Sequence, residues 1–373
     1  MDNKICVYAI CKNESQFVDK WVESMKEADS IVVLDTGSID DTVSKLKQYD
    51  FVRVEQRIIN PWRFDVARNE SMKLVPDDCN ILLSTDLDEL LDPGWAEPLR
   101  NNWVEGVHER AAYKYAWSHL ENGEPGRIFK YNKVHSRNWK WIYPVHEVLY
   151  NIKTNSCMYN INESLDLFDE MYLHHYPDNK KSRSSYLPLL KLRVSEDDSD
   201  YFGLMYLAHE YTYQKMYIES INTMNDVLTK HHNKMNNLEH ASCYLFIGDA
   251  LVELGEYDNA IRSYNKAIKI DPTYREPYIN LAKVYITQKE WDLASLYLKK
   301  GIKNTYRHYS WLERDVSWTY EPWDLLAVSS FYSGDKKSSL AYAQKALSYE
   351  KNNQHLNFNL DIILKMSEDN ELL

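Results

Sequence analysis

The chain has 373 residues, a net charge of −12, 44% apolar and 27% charged residues, which is enough for two globular domains with their own cores. The acidic balance argues against a general nucleic-acid binder, which needs a basic face to neutralise phosphates, and no apolar run approaches the roughly 18 residues needed to cross a bilayer. Five scattered cysteines without C-x-x-C spacing read as buried thiols of a reducing compartment. The opening MDNKICVYAICKNES lacks a signal-peptide pattern, so the expected location is the cytoplasm.

In chain order, KICVYAIC (4–11) reads as a strand and FVDKWVESMKEA (17–28) carries apolar residues at helical spacing. SIVVLDT (30–36) and VRVEQRII (52–59) read as strands, DVARNESMKLV (65–75) as a helix and NILLSTD (80–86) as a further strand. Such alternation predicts a mostly parallel sheet covered on both faces. Ligands of these sheets bind at the carboxyl ends of the strands, where Asp35 and Asp86 stand.

Directly after the strand at 80–86, Asp86, Asp88, Glu89 and Asp92 crowd four carboxylates into seven residues. Like charges so close are costly unless a cation neutralises them. Asp86 and Asp88 can turn toward one divalent ion, and oxygen ligands favour Mg²⁺ or Mn²⁺; the alternative is a solvated turn. No Cys or His stands close by to suit Zn²⁺, and Leu90 and Leu91 occupy positions where an EF-hand needs a ligand and a glycine. Glu89 would orient a ligand or cap the helix read in PGWAEPL. Farther on, NWKWIYPVHEVLY (138–150) places His146 and Glu147 after an aromatic strand. The stretch 174–200 reads as an extended exit followed by one amphipathic helix.

Beyond residue 200 the helical period takes over. Tyr244, Gly248, Leu251, Ala260, Tyr264 and Ala267 are matched 34 residues later by Tyr278, Ala282, Tyr285, Ala294, Leu298 and Gly301. This resembles the tetratricopeptide repeat, with weaker copies at 206–228 and 325–347. The array would hold a partner in its groove, with Tyr211, Tyr217, Tyr244 and Tyr285 as candidate lining, or would serve as a buttress or homodimer contact.

The first 180 residues resemble a family 2 glycosyltransferase of the GT-A fold. VYAICKNES (7–15) resembles its first strand and turn, VVLDTGSIDDT (32–42) its second-strand signature, and STDLDE (84–89) its D-x-D. NPWRFDVARNESMKL (60–74) resembles the branch with C-terminal tetratricopeptide repeats, which includes peptide S-glycosyltransferases of the sublancin type. The resemblance implies a GT-A (Rossmann-like) catalytic domain over 1–180, a linker helix over 181–200 and an all-α repeat superhelix over 201–373.

It also implies roles. Asp35 would accept hydrogen bonds from the base or ribose of a UDP-hexose donor. Gly37 and Ser38 would form a tight turn before a helix with free N–H groups, and Asn13 and Glu14 would line the same pocket. Arg68 and Asn69 would begin a helix aimed at the base and diphosphate. Asp86 and Asp88 would hold the ion that neutralises the leaving diphosphate, with His175 as a late extra ligand. Glu147, with His146 beside it, would be the general base, or else a strand-end salt link. Lys180, Lys181 and Arg183 would close over the diphosphate or form a solvated face. Transfer would invert the anomeric carbon, and the acceptor would be a peptide, protein or glycan. Two rivals are a sugar nucleotidyltransferase, which needs a glycine-rich loop where ICKNESQF has none, and an inactive repeat-containing adaptor.

Overall fold

The computed structural model describes residues 3–120, 123–157, 164–178 and 183–368; Lys180 and Lys181 lie outside them. It divides into two compact units, one of Met1–Ser118 with Ile128–Arg193, the other of His119–Arg127 with Val194–Leu373. The second unit thus takes in a short segment from within the first half of the chain as well as the helical half.

In the first unit an eight-stranded sheet runs β3-β2-β1-β4-β7-β6-β11-β5. Its strands are β1 (Ile5–Cys11), β2 (Ser30–Asp35), β3 (Val52–Gln56), β4 (Ile81–Thr85), β5 (Glu89–Leu91), β6 (Arg110–Ala116), β7 (Ile128–His135) and β11 (Ser164–His175). β1 to β4 are mutually parallel, β6 runs parallel to β11, and β7 and β5 run against their neighbours. A three-stranded antiparallel sheet is formed by β8 (Trp139–Ile142), β9 (Val148–Asn151) and β10 (Ser156–Cys157).

The period-two pattern of the strands explains both faces. Ile5, Val7, Ala9 and Cys11 pack with Trp21, Val22 and Met25 of α1 (Val18–Met25). Cys6, Tyr8 and Ile10 point the other way, to Ala67 of α3 (Phe64–Met72) and to Trp139, Trp141 and Leu149 of the small sheet. Every residue of β1 is buried, as a central parallel strand requires. β3 ends at Gln56, short of the predicted 59, and α3 begins one residue before and ends three before the predicted 65–75. α2 (Thr42–Leu46) and α4 (Ala96–Asn102) are short, and α5 (Tyr186–Glu196) is the helix read between the two halves.

The second unit stacks four helix pairs and a last helix: α6 (Tyr201–Tyr213) with α7 (Tyr217–His231), α8 (Asn237–Glu253) with α9 (Tyr257–Ile270), α10 (Glu276–Thr287) with α11 (Trp291–Lys303), α12 (Glu321–Tyr332) with α13 (Lys336–Tyr349), and α14 (Gln354–Glu368). Small residues set the closest approaches. The Tyr264 ring lies so near Gly248 that a Cβ there would stand 2.5 Å from Tyr264 Cε1. Ala260, Ala267, Ala282 and Ala294 are fully buried at equivalent crossings. Among the described residues no helix is long and apolar enough to cross a membrane, and the cysteines form no disulfide.

Because the Tyr264 ring is held by its hydroxyl on Asp249 at 2.8 Å, it cannot swing clear of an added methyl. Gly248→Ala should therefore lower the stability of the repeat unit by about 1–3 kcal/mol through overpacking, despite alanine's better helix propensity. Chemical denaturation of the two proteins measures this, and a stabilised variant would contradict the packing.

Candidate active site

Parallel register brings three loops to one edge. Cys11 pairs with Asp35 and Ala9 with Thr85, so the residues after β1, β2 and β4 share a rim. After β1, Asn13 takes a left-handed φ of 56°. Its N–H donates to Ser38 Oγ at 2.8 Å, and its Oδ1 accepts from Ile39 N at 2.8 Å. Glu14 is buried, and its N–H donates to Thr42 Oγ1 at 2.7 Å.

Asp35 is fully buried, and its carboxylate accepts from Gly37 N at 3.2 Å, Ser38 N at 3.1 Å, the Ser38 hydroxyl and Gln56 Nε2 at 3.3 Å. It ties down its own turn, which Gly37 enters with a φ of 113° that side chains rarely adopt. Gly37 and Ser38 form the tight turn, and the helix expected to offer free N–H groups comes only after it. The N–H groups of Gly37 and Ser38 bond Asp35, and α2 starts only at Thr42.

The carboxylate cluster is partly neutralised from within the chain. Arg68 lies in the middle of α3, not at its start, with a side chain 4% exposed. Its Nη2 donates to Asp86 Oδ1 at 2.9 Å and Oδ2 at 3.1 Å, its Nη1 to Ser84 Oγ at 3.1 Å, and its Nε to Glu147. The guanidinium also lies 5.3 Å from the centre of the Trp141 ring. Burial would weaken its charge, but Asp86 and Glu147 outweigh that and hold its pKa well above the ordinary value.

Lys133 of β7 is a second buried cation, 3.4 Å from Asp86 Oδ2 and 3.3 Å from Glu89 Oε1. Glu89 sits on β5 rather than capping a helix; it accepts from Asp86 N at 2.9 Å and from Tyr115 OH at 2.9 Å. Burial pushes its carboxyl pKa up, against the pull of Lys133. Asn69 faces the small sheet instead of the rim: it donates to Trp141 O at 2.8 Å and accepts from Trp141 N at 2.9 Å, stapling α3 to β8.

Asp88 and His175 form a separate pair. β5 and β11 bring Glu89 opposite His175, and Asp88 O accepts from Tyr176 N at 2.7 Å. His175 Nδ1 lies 3.2 Å from Trp117 O, a group that can only accept, so Nδ1 carries the proton. Nε2 is left facing Asp88 Oδ2 at 3.7 Å. Two electron-pair donors meet there and need a proton or a metal ion between them. Burial alone would lower the His175 pKa, and the hydrogen bond and charge of Asp88 raise it instead.

Among the described residues no three His, Cys, Asp or Glu side chains stand as a ready metal cage. Asp88 and His175 nonetheless fit an ion that takes its remaining ligands from phosphates, as Mg²⁺ commonly does. Asp86 is held by Arg68 and Lys133 and does not complete that set here.

His146 and Glu147 lie in a loop with left-handed φ at Tyr143 (75°) and His146 (48°). Arg193, fully buried on α5, braces it by donating to Val145 O at 3.1 Å and His146 O at 2.6 Å. The His146 ring packs edge-on against Tyr186 at 5.6 Å. Glu147 makes the salt link to Arg68 that the sequence offered as an alternative to general base. Sequence reasoning missed Lys133, Ser84, Tyr115 and Arg193; Ser84 opens the STDLDE stretch but carried no signal of its own, and the other three stand in no motif and reach the cluster through strand pairing and helix packing between distant segments.

A unit built on an α/β sheet with an acidic, cation-braced rim is followed along the chain by stacked helix pairs. Residues 6–151 match the glycosyl transferase family 2, and residues 248–289 match the tetratricopeptide repeat. The chain thus carries a family 2 glycosyltransferase domain followed by tetratricopeptide repeats. Among solved structures it is similar to the repeat protein TTC0263 from Thermus thermophilus (18% identity, TM-score 0.38, covering 48% of this chain and 88% of that one). It is also similar to MamA from Desulfovibrio magneticus RS-1 (15% identity, TM-score 0.38, covering 47% and 89%). No curated protein matches it.

Removing one partner of a buried ion pair leaves the others uncompensated. Arg68→Met should destabilise the first unit by about 3–5 kcal/mol, and adding Glu147→Gln to that variant should recover part of the loss. Thermal unfolding of the single and double variants checks this; additive losses would mean that the two groups do not interact.

A pH effect follows from His135. It is fully buried, with Nδ1 donating to Ser136 O at 2.7 Å and Nε2 accepting from Tyr8 OH at 2.6 Å, while Tyr8 accepts from Trp141 Nε1 at 2.7 Å. Burial pulls its pKa down to about 4. A depressed folded-state pKa means stability that is present above the unfolded value near 6.5 and lost as pH falls toward 4. The loss approaches about 3 kcal/mol. His135→Gln should unfold with a shallower dependence on pH over this window, as followed by melting temperature.

Proposed function

We propose that the first unit transfers a hexosyl group from a nucleotide sugar, of UDP type, to a polypeptide acceptor held by the repeats. The observation that carries the donor side is the Asp88–His175 pair, which joins Asp88, within the segment matched by glycosyl transferase family 2, to His175 beyond it. The matched tetratricopeptide repeat supports a protein partner.

In this reading Asp88 and His175 would hold Mn²⁺ or Mg²⁺. The ion would supply electrostatic stabilisation to the departing diphosphate. Arg68 and Lys133 fix Asp86 and Glu89 and limit the negative charge of a site that must admit a dianionic leaving group. Asn13, Glu14, Gly37 and Ser38 shape the nucleotide pocket, and Asp35 maintains their turn. Glu147, oriented by Arg68, is positioned to take the acceptor proton, and the Arg193 brace keeps His146 and Glu147 in place. Inversion at the anomeric carbon is part of the proposal, as is a reducing, cytoplasmic setting.

The experiment is donor hydrolysis and transfer measured with a panel of UDP-hexoses, with and without EDTA, on the parent and on Asp88→Asn. The neutral amide preserves size and removes the charge. Activity should depend on added Mn²⁺ or Mg²⁺, and Asp88→Asn should lose it by about 100-fold or more, the scale seen when a charge-stabilising group at a reacting centre is removed. An enzyme indifferent to EDTA would transfer the duty of charge stabilisation to Arg68 and Lys133.

A further inference from the structure

On the face of β6 that carries Tyr115 toward Glu89, a row of aromatic side chains leads out to the Asp88–His175 pair. Tyr113 and Tyr115 take alternate positions along the strand and so share a face; they are 0% and 2% exposed. Trp117 is the next alternate position, just past the end of β6, and it is 43% exposed. Tyr115 is held by its hydroxyl on Glu89 at 2.9 Å and by the Phe129 ring at 5.1 Å. β6 and β11 run parallel, with Tyr115 opposite Leu173 and Ala116 opposite His174, and the next step brings Trp117 level with His175. The centres of the indole and imidazole rings lie 4.6 Å apart, with the planes tilted by 34°.

Backbone and side chain of Trp117 have separate duties. Its carbonyl receives His175 Nδ1 and leaves Nε2 facing Asp88. Its indole is backed by the rings of Tyr115 and Phe129, at 6.2 and 6.4 Å, and keeps much of its surface open beside the imidazole. The carboxylates of Asp86, Asp88 and Glu89 suit an ion. A hexose asks for something else. Its hydroxyls lie round the edge of the ring and its C–H bonds line the two sides, so it takes polar partners at the edge and the electron-rich face of an aromatic ring against a side. In a nucleotide sugar the hexosyl ring begins one bond beyond a diphosphate oxygen. A diphosphate held through an ion on Asp88 and His175 therefore delivers the sugar to the surfaces next to His175.

We infer that the exposed indole of Trp117 is the surface on which the hexosyl ring of the nucleotide sugar packs, and that it governs how tightly the sugar, rather than the nucleotide, is held. The inference rests on the reading that Asp88 and His175 hold the donor diphosphate. Trp117 takes no part in proton or sugar transfer. It is a sugar-positioning residue, and the rings behind it fix the platform before the donor arrives, which lowers the cost of ordering it on binding.

The test is calorimetric titration of the full chain, saturated with Mn²⁺, by UDP-glucose, UDP-galactose, UDP-N-acetylglucosamine and UDP. Trp117→Leu should weaken the best-bound UDP-hexose by about tenfold, while the affinity for UDP stays within about twofold of the parent's. Trp117→Phe keeps a smaller ring and should fall between the two. Where Trp117→Leu melts early, Trp117→Phe reads the same comparison on a folded protein.

A Trp117 variant that holds the UDP-hexose as tightly as the parent would overturn the inference. So would one that loses UDP and UDP-hexose in equal measure, because that would mark a structural or nucleotide-binding role. No turnover is needed, so this outcome separates from that of the enzymatic reading. A UDP-hexose affinity that depends on Trp117, in a protein that transfers no sugar, leaves the inference standing and the enzymatic reading wrong. Sugar transfer by a protein whose UDP-hexose affinity ignores Trp117 does the reverse. A parent that binds none of the four ligands removes both.

Discussion

The buried guanidinium of Arg68 is the interaction on which the first unit's rim depends. Carboxylates drawn from the end of β4, from the turn after it and from the loop before β9 cannot share a low-dielectric edge without a counter-charge. Arg68 reaches three of the participating groups because α3 lies flat against β1 and β2 and turns that residue inward. The guanidinium's fixed fork lets one side chain hold Asp86 and Glu147 at once. Lys133 adds a second charge from the neighbouring antiparallel strand, binding Asp86 and Glu89. With Asp88 counted, acidic side chains outnumber these two cations.

The two aspartates of the D-x-D do different work although they are two residues apart. Asp86 follows β4 directly and points toward α3, where Arg68 claims both its oxygens. Asp88 lies past the turn, beside β5, and β5 pairs with β11, which ends at His175. The antiparallel edge strand therefore gives the second aspartate a partner far away in the chain, while the parallel core serves the first. The Trp117 carbonyl fixes the imidazole tautomer from β6's far end, as an outer ligand partner does in metal sites.

In the repeats the same economy of small and large residues governs both packing and chemistry. Gly248 and the buried alanines let helices of a pair touch, and Tyr264 fills the space with its hydroxyl anchored on Asp249. Where the repeat pattern is interrupted, between α11 and α12, the longer connection carries Arg307 and Trp318 into the lining of a groove walled largely by aromatic side chains.

The order of strands and helices, the acidic strand ends at Asp35 and Asp86 and the 34-residue repeat were legible in the sequence, because burial imposes a period of two on strands and 3.6 on helices, and repeats copy their own spacing. Asn13, Gly37, Ser38, Asp86 and Asp88 come to one edge as parallel strand order dictates. What local pattern does not encode is which charges meet. Asn69 turned to brace β8, Asp35 turned inward on its own loop, and Lys133, Arg193 and Trp117 entered through strand pairs and helix packing between segments far apart in the chain. Side-chain partnership in a folded interior is set by which surfaces stack and in what register, and that is decided only when distant segments compete to bury the same apolar area.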